Sequence, residues 1–145
     1  MQIKSSAFEN GGRVPPLYTC DGENINPPLD FTDIPKDART LVLVMEDPDA
    51  PLGTWVHWLL WNIPPRAGGI REGGVPTGTT EGTTSFGAAR YGGPCPQKGE
   101  HRYFFKLYAL DLELELPEET KKESLEEAMV GHVLDKAELI GLYAR

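Results

Sequence analysis

Proline and glycine cut this chain into short pieces. Its 145 residues hold 13 prolines and 16 glycines, and these cluster. A proline ring fixes φ and removes a backbone donor, while glycine opens turn conformations, so such clusters force loops and interrupt helices. Residues 11–37 carry five prolines and read as loop. Residues 65–100, with AGG, EGG and YGGPCP, are turn-rich again. Phe86 and Tyr91 supply aromatic anchors there, which points to an ordered loop region. The pattern predicts many short elements and a β-rich domain.

The stretches between the loops read as strands. RTLVLVME (39–46) is short, β-branched and bounded by turn residues. Side chains alternate along a strand, which places Leu41, Leu43, Met45 and Asp47 on one face. WVHWLLWNI (55–63) follows. Strict alternation puts Trp55, His57 and Leu59 on one face and Val56, Trp58 and Leu60 on the other. Both faces are apolar, as in a central strand. RYFFKLYALD (102–111) is a third strand, with Tyr103, Phe105 and Leu107 on one face. Met1 to Ile3 begins a short strand, and AELIGLYAR (137–145) ends the chain as another. One helix is expected. Thr120 and Glu123 fit a capping box, and Leu125, Ala128, Met129 and Val133 repeat at helical spacing. The order predicts a mostly β fold, an antiparallel two-sheet sandwich with one or two short helices.

Size and charge narrow the role. A chain of 145 residues, 39% apolar and 25% charged, is one domain (1–145) with a full core. A net charge of −8 repels phosphate backbones and excludes nucleic acid as a partner. The acidic run at 111–127 reads as a solvated face. The amino end has no apolar run, and no segment approaches the roughly 18 apolar residues of a membrane span, so a cytoplasmic location is expected. Cys20 and Cys95 lie too far apart in sequence to form a metal motif. They would be reduced in a mesophile's cytoplasm and can pair in a thermophile.

Polar side chains at strand ends mark candidate chemistry. His57 follows DPDAPLGTW, and His101 follows YGGPCPQKGE. In both places a tight loop feeds a strand. An aspartate beside an imidazole fixes its tautomer and favours the cation, which suggests Asp47 as the partner of His57. His101 and Tyr103 alternate onto one side of their strand. The Gly93-Pro94 turn can present a backbone amide to a ligand. Together these groups suit a pocket for a small anion, such as a phosphate ester. Asp49, between Pro48 and Pro51, reads as structural, accepting loop amides. Ala50-Pro51 is a candidate cis peptide. His132 sits near the helix end, where it complements the dipole.

These residues carry a family resemblance. DPDAP at 47–51, Trp55 and His57 in TWVHWLLWNIP, and GPCPQKGEHRY at 93–103 resemble the two signature regions of the phosphatidylethanolamine-binding protein family. That family includes animal Raf kinase inhibitor proteins and plant flowering regulators. YTCDGENINPPL and AELIGLYAR are similar to its compact bacterial and archaeal branch. The resemblance implies a large antiparallel sheet packed on a smaller one, with a pocket for phosphate-like anions at one end. By position, Asp47, Trp55, His57, Gly93, Pro94, Cys95, His101 and Tyr103 should line it, with Asp49, Pro51 and Arg102 in structural roles. It implies neither a metal nor another cofactor. Pro94-Cys95 stands where animal members have two prolines, which puts a thiol at the rim. The chain stops at its last strand, so the carboxy-terminal helix of animal members is expected to be missing. Phospholipid selectivity and Raf binding are therefore not carried over. Both cysteines stand where this branch often has them, and a Cys20–Cys95 disulfide is expected if the host is thermophilic.

Three functions follow as expectations. The first is a non-enzymatic binding module for a small phosphate-bearing ligand, regulating a partner such as a kinase or, by inhibition, a protease. The second is a hydrolase built on a Cys95–His101 thiol–imidazole pair. The third is a metal site of Asp47, His57 and His101. A homodimer is expected by family analogy alone.

Overall fold

The computed structural model describes residues 1–145. Nine strands are present: β1 (Gln2–Lys4), β2 (Gly12–Arg13), β3 (Leu29–Thr32), β4 (Thr40–Asp47), β5 (Trp55–Ile63), β6 (Gly69–Ile70), β7 (Thr80–Glu81), β8 (His101–Leu110) and β9 (Val133–Tyr143). The single α-helix is α1 (Lys122–Met129), and two 3-10 turns span Pro16–Tyr18 and Pro65–Ala67. The large sheet runs β2-β9-β8-β4-β5-β7 and the small sheet β1-β3-β6. Neighbouring strands are antiparallel except β2 and β9, which pair parallel through Gly12–Gly141 and Arg13–Leu142. The expected two-sheet, mostly β architecture is therefore present with one parallel edge. Strands β3 and β6 lie in the two segments that read as loop; each is too short to show a period.

β4 sits between β5 and β8 with every residue buried. Its unbroken apolar run follows from having both faces covered. One face packs against the small sheet, where Leu41, Leu43, Met45, Trp58, Leu60, Phe105 and Leu107 join Ile3, Leu29 and Phe31. The other face carries Val42 and Val44, which meet Val56, Leu59, Trp61 and the helix residues Leu125 and Met129.

The register corrects the alternation expected for β5. Glu46 pairs with Val56 and Met45 with Trp58, so His57 is an extra residue in the ladder. Such a bulge turns two successive side chains toward one side. Trp58 and Leu60 face the small sheet, and Val56, Leu59 and Trp61 face the helix. Leu59 does not share a face with His57, whose ring instead packs edge-on to Tyr103 at 5.3 Å.

The helix differs from expectation at both ends. Lys121 is the N-cap and no side chain caps it. Thr120 donates its hydroxyl to the Pro117 carbonyl at 2.7 Å and lies one residue before the N-cap, so the expected capping box does not form. Gly131 at φ 81° ends the helical path, and Val133 begins β9. An ion network fastens the helix. Buried Glu46 accepts from Lys106 at 2.6 Å and from Lys122. Burial pushes the Glu46 carboxyl up, but the two ammonium groups outweigh it and hold it below its ordinary range.

No peptide bond is cis, so Ala50–Pro51 is trans. The Gly53 amide donates to the Ala50 carbonyl, placing Pro51 second in a turn. A trans proline suits that position, whereas cis proline belongs one residue later.

Candidate functional site

Asp47 ends β4, where the chain leaves the sheet for the 48–54 loop. Its carboxylate divides between two partners. Oδ1 accepts the Asp49 amide at 2.7 Å and shapes the turn. Oδ2 accepts the His101 Nδ1 proton at 2.6 Å from the start of β8. The aspartate thus serves His101, not His57. β4 and β8 are adjacent, and the bulge carries His57 away from Asp47.

His57 takes another partner. Its Nδ1 lies 2.6 Å from the Gly92 carbonyl. A carbonyl only accepts, so Nδ1 carries the proton. Burial pushes the imidazole pKa down, and this outweighs the Gly92 carbonyl and the nearby Asp47 charge, which raise it. His57 is thus neutral at pH 7, contrary to the expected cation, because its surroundings are apolar and aromatic. Phe86 packs edge-on to it at 5.3 Å and to Trp55 at 5.4 Å.

The two imidazoles flank one phenol. Tyr103 lies 5.3 Å from His57 and 6.4 Å from His101 between ring centroids. Burial, with the Asp47 charge second, pushes the Tyr103 hydroxyl well up, so it stays a neutral donor. Neither imidazole Nε2 has a hydrogen-bond partner in the protein, and neither is sealed from solvent. Beyond this polar floor stand two exposed apolar side chains, Trp55 and Phe86.

The 91–95 loop forms a second wall. Tyr91 donates its hydroxyl to the Tyr18 carbonyl at 2.8 Å, and the Cys20 amide donates to the Pro94 carbonyl at 3.1 Å. The Gly93 amide donates to Asn24 Oδ1 at 2.7 Å. This corrects the expectation that Gly93-Pro94 offers an amide to a ligand: one amide is occupied and proline has none. Asn24, at φ 58°, escaped sequence reading, and only its place in a loop of turn residues could have signalled it. Cys20 and Cys95 are joined in a disulfide. Cys95 therefore has no thiol at the rim, and the thiol–imidazole pair with His101 lacks its nucleophile.

Asp49 ties the loop to β8. It accepts Arg102 Nε and Nη2 at 2.9 Å each and the Arg102 backbone amide at 3.0 Å. The Arg102 hydrogen bonds hold the Asp49 pKa at about 2. The backbone amide Asp49 accepts comes from β8 and not, as expected, from its own loop, where Asp49's own amide donates to Asp47. His132 pairs with Asp111 at 2.9 Å, far from this site. No three His, Cys, Asp or Glu side chains gather in metal-holding geometry.

The loop has no room for a side chain at Gly93. A Cβ there would lie 2.1 Å from the Tyr18 carbonyl oxygen and 2.5 Å from Asn24 Oδ1. Gly93→Ala should cost about 2–3 kcal/mol, read as a lower thermal midpoint. At Gly92 the clash is with the Phe86 ring, 2.4 Å away, which is half-exposed and can swing aside. Gly92→Ala should move the rim with a smaller loss. Equal losses for the two variants would contradict this account of the loop.

Two surface concavities lie elsewhere and include neither histidine. One of about 590 Å³ is lined by β1 and β9, and one of about 260 Å³ lies between residues 83–87 and the start of α1. Chemistry, not volume, marks the site.

Fold and site together define a two-sheet β domain with a buried acid–imidazole pair and a second imidazole at one end of its large sheet. The family model for phosphatidylethanolamine-binding protein matches residues 4–144. The chain belongs to the phosphatidylethanolamine-binding protein family. A UPF0098 protein of Methanothermobacter thermautotrophicus is 50% identical over 150 residues, covering 100% of this chain and 99% of the relative. The crystal structure of the Chlamydia trachomatis homologue CT736 superimposes with a TM-score of 0.95 at 42% identity, covering 99% of this chain and 97% of that one. Escherichia coli YbcL, described as a member of the mammalian family, gives 0.92 at 25% identity, covering 99% and 98%.

Proposed function

We propose that the Asp47, His57, His101 and Tyr103 cluster binds a small phosphate-bearing anion without transforming it. One observation carries this reading: two imidazoles with their Nδ1 atoms already engaged leave both Nε2 atoms unpartnered on either side of a phenol. The Asp47 carboxylate anchors His101 through Nδ1 and leaves its Nε2 to the bound group. Trp55 and Phe86 give the bound group an apolar collar. Membership in a family named for a phospholipid supports the same ligand chemistry. Regulation of a partner kinase or protease is the wider role we attach to it, in a cytoplasmic setting. No helix is long and apolar enough to cross a membrane.

Neutral His57 predicts proton-linked binding. Its Nε2 holds a lone pair, so it accepts from a protonated anion or takes up a proton as the anion enters. Sulfate carries no proton near neutrality and isolates the second route. Its affinity should rise as pH falls from neutrality toward the lowered His57 value. A flat sulfate profile would count against a role for His57. The same depressed pKa leaves the folded chain binding fewer protons than the unfolded one. The stability linked to His57 is therefore present above about 6.5 and lost as pH falls through the folded value.

Titration calorimetry with phosphate and phosphoethanolamine tests the reading. A dissociation constant on the order of 1 mM or lower is expected, weakened about tenfold or more by His57→Ala. No heat at well above that concentration, or an affinity unchanged in the variant, would overturn it.

A further inference from the structure

Both halves of the Cys20–Cys95 bond are exposed, although their neighbours Tyr18, Thr19, Gly93, Pro94 and Pro96 are buried. An exposed disulfide can be reached by an attacking thiolate, whereas a buried one cannot. This bond also lies close to the site. Cys95 is three residues beyond Gly92, whose carbonyl orients His57. The Cys95 backbone amide lies against the Tyr103 hydroxyl. The 91–95 loop is held to the 18–24 loop by three hydrogen bonds and this one covalent link.

We infer that the Cys20–Cys95 bond is a redox switch on His57. Oxidised, it holds the 91–95 loop where Gly92 fixes the imidazole; reduced, it lets that carbonyl and ring part. The effect on affinity rests on the anion-binding reading above, but the effect on His57 does not. A dithiol reductant supplies the two electrons. Its thiolate attacks one Sγ, forming a mixed disulfide and expelling the other Sγ as a thiolate that takes a proton. The reductant's second thiolate then attacks the reductant sulfur of the mixed disulfide and expels the remaining cysteine Sγ, which takes a proton. The products are two cysteine thiols on the protein and one disulfide on the reductant.

Linkage makes the coupling reciprocal. If reduction weakens phosphate binding, phosphate must resist reduction by the same factor.

The test uses the whole chain labelled with nitrogen-15 at histidine, oxidised and then reduced with dithiothreitol, at one neutral pH. Reduction should shift or broaden the His57 Nδ1–H signal while the fold persists by circular dichroism, and should weaken phosphate about tenfold. Saturating phosphate should lower the midpoint potential of the bond by about 30 mV, the same factor for a two-electron couple. Cys95→Ser should reproduce the reduced spectrum. Unchanged His57 signals on reduction would overturn the switch. So would global unfolding on reduction, which would make the bond a stability element only. If the oxidised protein binds no phosphate but His57 responds, the anion reading fails and the switch stands. If phosphate binds but His57 stays silent, the switch fails and the anion reading stands.

Discussion

Replacing both Cys20 and Cys95 with serine should lower the thermal midpoint by roughly 10 °C. The two residues are 75 positions apart in sequence. Cross-linking so distant a pair removes much of the unfolded chain's freedom, about 4 kcal/mol in the chain-entropy account. For a domain of this size each kcal/mol moves the midpoint by about 2–4 °C. The loss falls on the 91–95 loop, and neither cysteine lies in a strand of the two sheets. The variant should therefore still fold, with the far-ultraviolet spectrum of the parent. Differential scanning calorimetry of the oxidised parent and the double variant measures the shift. A change below about 3 °C would mean that the unfolded chain is already compact around this pair.

Asp47→Ala should be the most damaging change in the site, costing about 3 kcal/mol of stability and most of the anion affinity. The residue is 3% exposed, and its carboxylate serves two donors. Alanine leaves the His101 Nδ1 and the Asp49 amide unpaired where water has little access, and buried donors without partners are costly. Asp47→Asn separates the two roles. Its single carbonyl oxygen can keep the turn at Asp49, but its amide cannot also accept from His101. It should therefore retain most of the stability and lose affinity. Chemical denaturation and phosphate titration on both variants read the split. Equal loss of stability in the two would assign Asp47 to the imidazole alone.

Fold and site differed in how far they could be read from residues. Three of the four long strands, β4, β5 and β8, were legible because each is an apolar run bounded by turn residues. Thr40–Asp47, Trp55–Ile63 and His101–Leu110 fall within a residue or two of the expected limits. The two-residue edge strands were not, although the edge strand Gln2–Lys4 lies where one was expected. Gly12–Arg13, Gly69–Ile70 and Thr80–Glu81 are two residues each, and they become strands only because a longer neighbour offers its hydrogen bonds. Leu29–Thr32 lies between two proline pairs and a turn, and its alternation is too short to stand out. The resemblance carried the site residues, but it did not carry their partners.

The sequence alone determined that this chain is a β-rich domain with acids, imidazoles and a tyrosine at strand ends. That information is local: proline and glycine place the breaks, and apolar runs place the strands. Only the tertiary structure decided who holds whom. Asp47 went to His101 because β4 lies beside β8. His57 went to Gly92 because a one-residue bulge turned it off the ladder. Asn24 took the Gly93 amide because a disulfide and two other hydrogen bonds press two distant loops together. Pairings of this kind depend on register and on contacts between residues far apart in the chain, and no local pattern encodes either.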